Sequence, residues 1–555
     1  MRLVILEYLS MLKESKELDS LLVILLQSMD IEVISKPVIG GRQFGVDVAA
    51  VGKDSEDGVK KLFLFVVKQG NINRSNWDNK PQDTRQSIDE ILDVYLTSHI
   101  EKKYSKLPVS IILCFNGNME QTVQANWTGF VKKRNSKKRK LTISSWDIDK
   151  LSSYIIENLM KEFLFPEEIQ KEIRKTLALI DLNEYDLSNF YNIITKILSV
   201  SNKTLKNDLK SLRLLNLCIN LVYKWAEESG NLKPALIASE RLILKVFSWM
   251  NKKGYLKDKK ILKEFQNIHI SYTKISSGYF IKIRNHCYVQ DALFSYGGGA
   301  EEIEYPLITF EQIGIIATIG LNYLNFYNLT QDKRFLRSAI NVSNGLFGLI
   351  INNKSSYSAL YDGHIIDITL GLLLFYHTKR FKEATHWIEE IFIYLSNSYV
   401  LRKRFPILSD SYDELIFIET GYSKCKMESS TLIPISAEWS IILKNHHLYN
   451  FIKEQVNANF KDIDMQIWYP EDDVESYLFD DNVLNNCGTM RTSIKFPEKY
   501  DDFVLQTKEE IEVEIDYNNL QINKSNYPIL GLVASRHYRS QILPYFWRKL
   551  ISVEK

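Results

Sequence analysis

The stretch that decides the fold of the N-terminal part of this chain lies between residues 40 and 68. Residues 40–51 read GGRQFGVDVAAV and residues 62–68 read LFLFVVK, with a polar segment between them. Two apolar runs separated by a short polar segment predict a pair of strands joined by a hairpin turn. We expect the first strand to start beside Asp47 and the second to end at Lys68. A carboxylate and an ammonium group would then meet at one edge of a sheet.

Helix and strand patterns alternate on both sides of this hairpin. The apolar positions recur with the period of a helix or of a strand, and turn residues separate the segments. The further predicted elements are a buried helix over residues 18–29, strands over 31–34, 109–115 and 141–144, and an amphipathic helix over 86–99. The sequence therefore predicts a small α/β domain, built around a mixed sheet, over residues 1–162.

The pattern changes beyond this domain. Residues 163–456 read as successive apolar-faced helices with short connections, which predicts a large all-helical repeat or bundle region. Strand patterns return after residue 457, at 465–468, 492–496, 511–515 and 529–534, so we expect a small α+β C-terminal region over residues 457–555. The predicted fold class is a multidomain α/β plus α protein.

Composition limits the class of protein. The chain has 555 residues, of which 45% are apolar and 25% charged, and a formal charge of +2, so nucleic-acid binding would require a local basic patch. Its five cysteines form no close pair, which argues against a zinc knuckle or a disulfide framework and fits a reducing cytoplasm. The apolar stretch at residues 313–326 contains Asn322 and Asn325, which favours a buried helix over a membrane span.

The order and spacing of the N-terminal residues resemble those of the PD-(D/E)XK nuclease superfamily, and within it the Mrr-like restriction endonucleases. Asp19 opens the first buried helix. Gly45-Val46-Asp47 looks like the metal-binding aspartate step of the family, and Val66-Val67-Lys68 looks like its D/E/Q-x-K step. The resemblance covers about residues 19–155, less than a third of the chain.

The resemblance implies a restriction-endonuclease-like fold and metal-assisted hydrolysis of a phosphodiester bond. Asp47 and the backbone carbonyl of Val67 would bind Mg²⁺ or Mn²⁺, which prefer oxygen ligands. Lys68 would orient the attacking water or offset charge in the transition state. Asp19 would hold a metal-bound water.

One residue departs from the family pattern. Val66 stands where the family usually has Glu, Asp or Gln, and its side chain cannot bind a metal. Glu90 and Gln86, one helical turn apart on the following helix, are the best replacement ligands, and Gln69 is a weaker one. Two functions stay open: an active endonuclease, and a nuclease-like domain that has lost cleavage in a nucleic-acid-binding or protein-binding scaffold.

A basic cluster precedes the last predicted strand, and we expect it on a loop. Its residues are Lys132, Lys133, Arg134, Lys137, Lys138, Arg139 and Lys140. Together with Arg74 and Arg85 it would contact the phosphates of a nucleic acid, although a solvated basic loop is the alternative. Trp77 in the preceding loop would either stack on a base or, as we favour, anchor that loop.

These observations lead to one functional hypothesis. We expect a cytoplasmic, Mg²⁺-dependent endonuclease that acts on DNA, with no association with membranes. By analogy with bacterial restriction and antiviral defence proteins, the helical region would recognise a trigger, a protein partner or a second copy of the chain.

Overall fold

In a computed structural model, the structure describes residues 2–35, 44–80, 83–135, 140–159, 167–180, 182, 185–199, 204–294, 301–402, 404–408, 411–420, 429–479, 488–512 and 515–552. The chain divides into two compact units, Met1–Ala235 and Leu236–Lys555. The predicted boundaries near residues 162 and 456 do not coincide with this division.

The first unit contains a mixed five-stranded sheet in the order β1-β2-β3-β4-β5. The first strand pairs with the second and the second with the third in antiparallel orientation, whereas the third pairs with the fourth and the fourth with the fifth in parallel orientation. The strands are β1 Glu32–Ser35, β2 Val48–Lys53, β3 Lys60–Lys68, β4 Val109–Phe115 and β5 Leu141–Trp146. All five predicted strands of this region are confirmed, with small shifts at their ends.

The central strands are buried because helices cover both faces of the sheet, as is typical of parallel strands. Residues 62–67 of β3 are all nearly inaccessible to solvent. Side chains alternate between the two faces, so Leu64 and Val66 enter one core cluster together with Ile111 and Leu113 of β4.

The helices of the first unit are α1 Arg2–Met11, α2 Asp19–Ser28, α3 Arg74–Trp77, α4 Thr84–Glu90, α5 Leu96–Ser98, α6 Gln121–Arg134, α7 Ile148–Leu159, α8 Glu167–Leu179, α9 Ser188–Ser199 and α10 Leu205–Glu228, and α11 Lys233–Lys252 crosses into the second unit. Two π-helical turns interrupt this regular pattern. One, Glu14–Leu18, leads directly into α2, and the other, Ile91–Tyr95, joins α4 to α5. Such wide turns are rare and often occur at functional sites.

The second unit is mainly helical. Its helices are α12 Lys259–Ile283, α13 Glu301–Thr330, α14 Lys333–Asn352, α15 Ile365–His377, α16 Phe381–Arg402, α17 Tyr412–Glu419, α18 Leu432–Ile442, α19 His446–Asn459, α20 Val474–Leu478, α21 Tyr500–Glu512, α22 Gln521–Lys524, α23 Ile529–Tyr538 and α24 Tyr545–Ser552. Two short strand pairs complete it: β6 Ser429–Ser430 with β7 Asp464–Met465, and β8 Ile467–Pro470 with β9 Gly488–Arg491.

Three of the four strand predictions after residue 457 are wrong. Residues 492–496 form no strand, residues 511–512 end α21, and residues 529–534 begin α23. The last segment is a short apolar run that is buried on every side, and periodicity cannot distinguish a buried helix from a buried strand in such a run. The C-terminal region is therefore mostly helical.

Helix α13 contains the apolar stretch at residues 313–326, which the sequence predicts to be a buried helix. The segment Glu302–Thr330 is long and apolar enough to cross a membrane, but 78% of its most apolar window is buried inside the protein. Asn322 is satisfied there: it contacts His269 Nε2 at 2.8 Å and donates to Thr273 Oγ1 at 3.0 Å. The interpretation of residues 313–326 as a buried helix is confirmed.

Candidate active site

Asp47 is fixed to the end of β3 by two hydrogen bonds. Its backbone N–H donates to the Phe65 carbonyl at 2.9 Å, and its Oδ2 accepts the backbone N–H of Val67 at 2.7 Å. Asp47 lies immediately before β2, where backbone pairing with β3 ends, so its side chain replaces the missing acceptor. The two strands bring Asp47 and Lys68 together, as the sequence pattern indicates.

A glycine makes the approach of Asp47 possible. Gly45 has φ of +81°, a conformation that favours glycine, and a Cβ atom there would lie 2.1 Å from the carbonyl oxygen of Ser87. The segment that leads into β2 therefore packs directly against α4. Residues 40–43, the glycine-rich start of this loop, lie outside the described residues.

Lys68 pairs with an acidic residue that the sequence analysis missed. Its Nζ lies 3.7 Å from Oε1 of Glu14, and Oε2 of Glu14 accepts the backbone N–H of Gln69 at 3.3 Å. Glu14 belongs to the π-helical turn, which precedes the predicted first helix. An acidic pair three residues apart, Glu14 and Glu17, was the only signal in the sequence.

Asp19 is buried at the start of α2, with 7% of its surface exposed. One of its carboxylate oxygens contacts the backbone N–H and the hydroxyl of Ser20, at 2.5 and 3.2 Å. Its charge, like that of Glu14, acts on Asp47. Three carboxyl groups and one ammonium group are therefore electrostatically coupled at this end of the sheet.

The pKa of Asp47 reflects this environment. The pKa of its carboxyl is raised to about 6, chiefly by burial, and the charges of Glu14 and Asp19 act in the same direction. The Val67 N–H and the Lys68 ammonium act in the opposite direction. A carboxyl group that titrates near neutral pH inside a cluster of charges is typical of functional sites.

Val66, at the position where the family usually has an acidic residue, belongs to the hydrophobic core. Val66 is fully buried among apolar side chains, so it contributes no ligand. Glu90 ends α4 and is half-buried, whereas Gln86 is exposed. Their role as replacement ligands stays a prediction, and the described residues contain no group of three or more His, Cys, Asp or Glu side chains that could hold a metal ion.

The oxygen donors at the site nevertheless suit a hydrated Mg²⁺ ion. Oδ1 of Asp47 makes no hydrogen bond to any residue that the structure describes. The Val67 carbonyl faces the same side as its N–H, because both groups of a strand residue point to the same neighbour. Mg²⁺ commonly binds through one or two carboxylates and keeps several waters. Asp47 and the Val67 carbonyl are the residues that would hold it.

The structure changes the interpretation of the basic cluster. Lys132, Lys133 and Arg134 form the last turn of α6 and not a loop, and the two lysines are exposed. Their charges complement the negative end of the helix dipole. Lys140 is exposed beside β5. Lys137, Lys138 and Arg139 lie outside the described residues.

Two of the predicted phosphate-binding arginines already have acidic partners. Arg85 lies 2.5 Å from Asp78 and 3.7 Å from Asp89, and Arg134 lies 2.7 Å from Asp89. Arg74 is exposed in the short helix α3. Arg85 and Arg134 are therefore engaged in ion pairs within the domain.

Trp77 is an anchoring residue, as we favoured from the sequence, although it ends the short helix α3 and does not lie in a loop. Its ring is buried, and it makes edge-to-face contacts with Trp127 at 6.0 Å and Phe130 at 5.7 Å between ring centroids.

Comparison of the chain with known protein families, with curated proteins and with solved structures found no match.

Proposed function

We propose that this protein is a metal-dependent endonuclease that hydrolyses phosphodiester bonds of nucleic acid, with DNA as its substrate. One observation carries the proposal: Asp47 is pinned beside the end of β3, where Lys68 faces Glu14. A carboxylate at the end of β3, a second carboxylate and an ammonium group are what the resemblance to PD-(D/E)XK nucleases requires. The mixed sheet and its antiparallel hairpin support the same resemblance.

Each residue of the site has a distinct task in this reaction. Asp47 and Glu14 supply negatively charged oxygens at the end of β3. Lys68 orients the attacking water and offsets charge on the phosphate. A bound Mg²⁺ or Mn²⁺ would polarise the scissile phosphate and acidify its water. Asp19 stays in the outer part of the site, where its charge tunes Asp47.

Substrate contact would come from the exposed basic residues next to the sheet. Lys132 and Lys133 in α6, Arg74 in α3 and Lys140 beside β5 carry charge that binds phosphates without reading sequence. We further propose a cytoplasmic role in restriction or antiviral defence, with the helical second unit recognising the trigger or a partner. That part of the proposal rests on analogy of architecture.

Cleavage of supercoiled plasmid with Mg²⁺ or Mn²⁺ tests the proposal. We expect Asp47→Ala and Lys68→Ala each to lose roughly 100-fold or more in rate, because each removes a group that acts on the reacting phosphate. Asp57→Asn is the matched control, since Asp57 lies in the exposed turn of the same hairpin and pairs with Lys61. If both alanine variants still cleave the plasmid at the wild-type rate, the assignment of the site is wrong.

A second function is favoured by one specific observation. Val66 is packed into the core where the family carries an acidic residue, which is the change expected of a nuclease-like domain that binds without cutting. In that case wild-type protein binds DNA equally well in EDTA and in Mg²⁺, and it shows no cleavage in either. Binding measured by fluorescence anisotropy in the two buffers separates the alternatives.

A further inference from the structure

The second unit contains a cavity that the proposed nuclease activity does not use. It has a volume of about 460 Å³ and lies between the start of α13, the 3₁₀ turn Lys354–Tyr357, the end of α16 and the helix α17. Cavities of this size are typical of sites for small organic ligands. The segments around it come from distant parts of the sequence, so the tertiary fold alone creates it.

Aromatic side chains form much of its wall. The rings of Tyr357 and Tyr394 lie 5.4 Å apart at an interplanar angle of 60°, and those of Phe294 and Tyr305 lie 5.4 Å apart at 83°. Phe405 adds a buried ring to the same cavity. Ring faces and edges of this kind bind planar aromatic ligands by stacking, at low entropic cost.

The charged residues among the described part of the lining are predominantly positive. Lys354, Arg402 and Arg404 contribute cations, and Glu302 is the single acid among the described residues that line the cavity. Glu302 lies 3.9 Å from Arg402 and 3.8 Å from Arg404, and its side chain is 71% exposed. These separations exceed hydrogen-bond length, and exposed ion pairs contribute little, so a better anion can displace Glu302 from the guanidinium groups.

The polar groups inside the cavity are already held in place by the protein. The hydroxyl of Tyr305 contacts Asp291 at 3.0 Å and Asn353 at 2.9 Å, and the hydroxyl of Ser355 contacts Thr309 at 2.7 Å. This wall is therefore preorganised, and ordering it on binding costs little. Recognition of an anion falls to the arginines.

We propose that this cavity binds a planar aromatic anion of the size of a nucleoside monophosphate. The ring would pack against the tyrosine walls, and the anionic group would replace Glu302 at Arg402 and Arg404. Guanidinium groups match phosphate oxygens in geometry and charge, which favours a phosphate over a diffuse negative charge. The proposal is independent of cleavage by the first unit.

Isothermal titration calorimetry of the full chain with AMP as the probe tests it. We expect Arg404→Gln to weaken AMP binding roughly 10-fold, because a charged hydrogen-bond donor to the phosphate is lost. Arg334→Gln is the matched control: Arg334 lies in the same unit, is exposed, and pairs with Asp332 away from the cavity. It should bind AMP as wild type does.

The two halves of the ligand are tested separately. Adenosine and inorganic phosphate should each bind at least about 10-fold more weakly than AMP, since each lacks one of the two recognised features. Tyr394→Leu should weaken AMP and adenosine but not phosphate, and it serves as the second variant if Arg404→Gln does not fold, as judged by thermal melting. Absence of AMP binding at millimolar concentration, or equal binding by wild type and both variants, overturns the proposal.

Discussion

Glu17 in the π-helical turn and Lys224 in α10 form an ion pair of 3.0 Å in which both side chains are almost completely buried. Glu17 also accepts the backbone N–H of Lys13 at 3.0 Å, and Lys224 contacts Glu227 at 2.7 Å. Glu14, three residues before Glu17 in the same turn, faces Lys68. The turn is therefore fastened to α10 on one side and to the end of β3 on the other.

We predict that Lys224→Met destabilises the protein by about 3 kcal/mol, because it removes the ammonium group that pairs with the buried carboxylate of Glu17. Urea unfolding measures the free energy. The double variant Glu17→Gln with Lys224→Met removes both charges and should regain most of that stability. A single variant as stable as wild type would show that the pair does not hold the turn.

We predict that Glu14→Gln lowers the pKa of Asp47, since the negative charge of Glu14 raises it. The glutamine can still accept the N–H of Gln69, so the turn should keep its position. Titration of the Asp47 carboxyl by ¹³C NMR follows the pKa, and the proposed function also predicts a slower cleavage rate. Glu7→Gln, at an exposed position of α1, is the control and should leave the pKa unchanged.

We predict that Asp47→Asn stabilises the folded protein at pH 7 by roughly 1–3 kcal/mol, from a shift of about two pKa units. Burial raises the pKa of Asp47 to about 6 from an ordinary value of 3.8, so the folded state keeps a proton that the unfolded state has released. Wild-type stability therefore falls as pH rises from about 4 to 6, and the gain from asparagine grows over the same interval. Thermal melting at pH 4, 5, 6 and 7 checks this; a gain equally large at pH 4 contradicts it.

The proposed cleavage needs the ionised form of Asp47, so the cleavage rate should fall below pH 6.

We predict that Gly45→Ala costs about 2 kcal/mol or more, because it combines an unfavourable positive φ with a clash against the Ser87 carbonyl. Gly58→Ala is the matched control: Gly58 has φ of +70°, but a Cβ atom there would meet nothing within 4 Å. The control should cost about 1 kcal/mol, from the backbone conformation alone. Equal losses in urea unfolding would mean that close packing on α4 contributes nothing.

The sequence determined the local structure of the first unit. The apolar runs at residues 46–51, 62–67 and 109–115 predict strands, because apolar residues follow one another there and polar or turn residues separate the runs. The run at residues 529–534 misled, because its environment is apolar on every side and only its neighbours in space decide between helix and strand.

Tertiary structure decided the composition of the candidate site. Glu14 lies 54 residues before Lys68 in a π-helical turn that no periodic pattern marks, and Lys224 fixes that turn from still farther along the chain. The titration of Asp47 depends on burial and on charges that other elements bring near it. The spacing of apolar residues shows which face of each segment is buried. Which charged side chains come close together depends on how segments that are distant in the sequence pack. For that reason the sequence alone determined the hairpin that carries Asp47 and Lys68, and only the fold decided that Glu14 joins them.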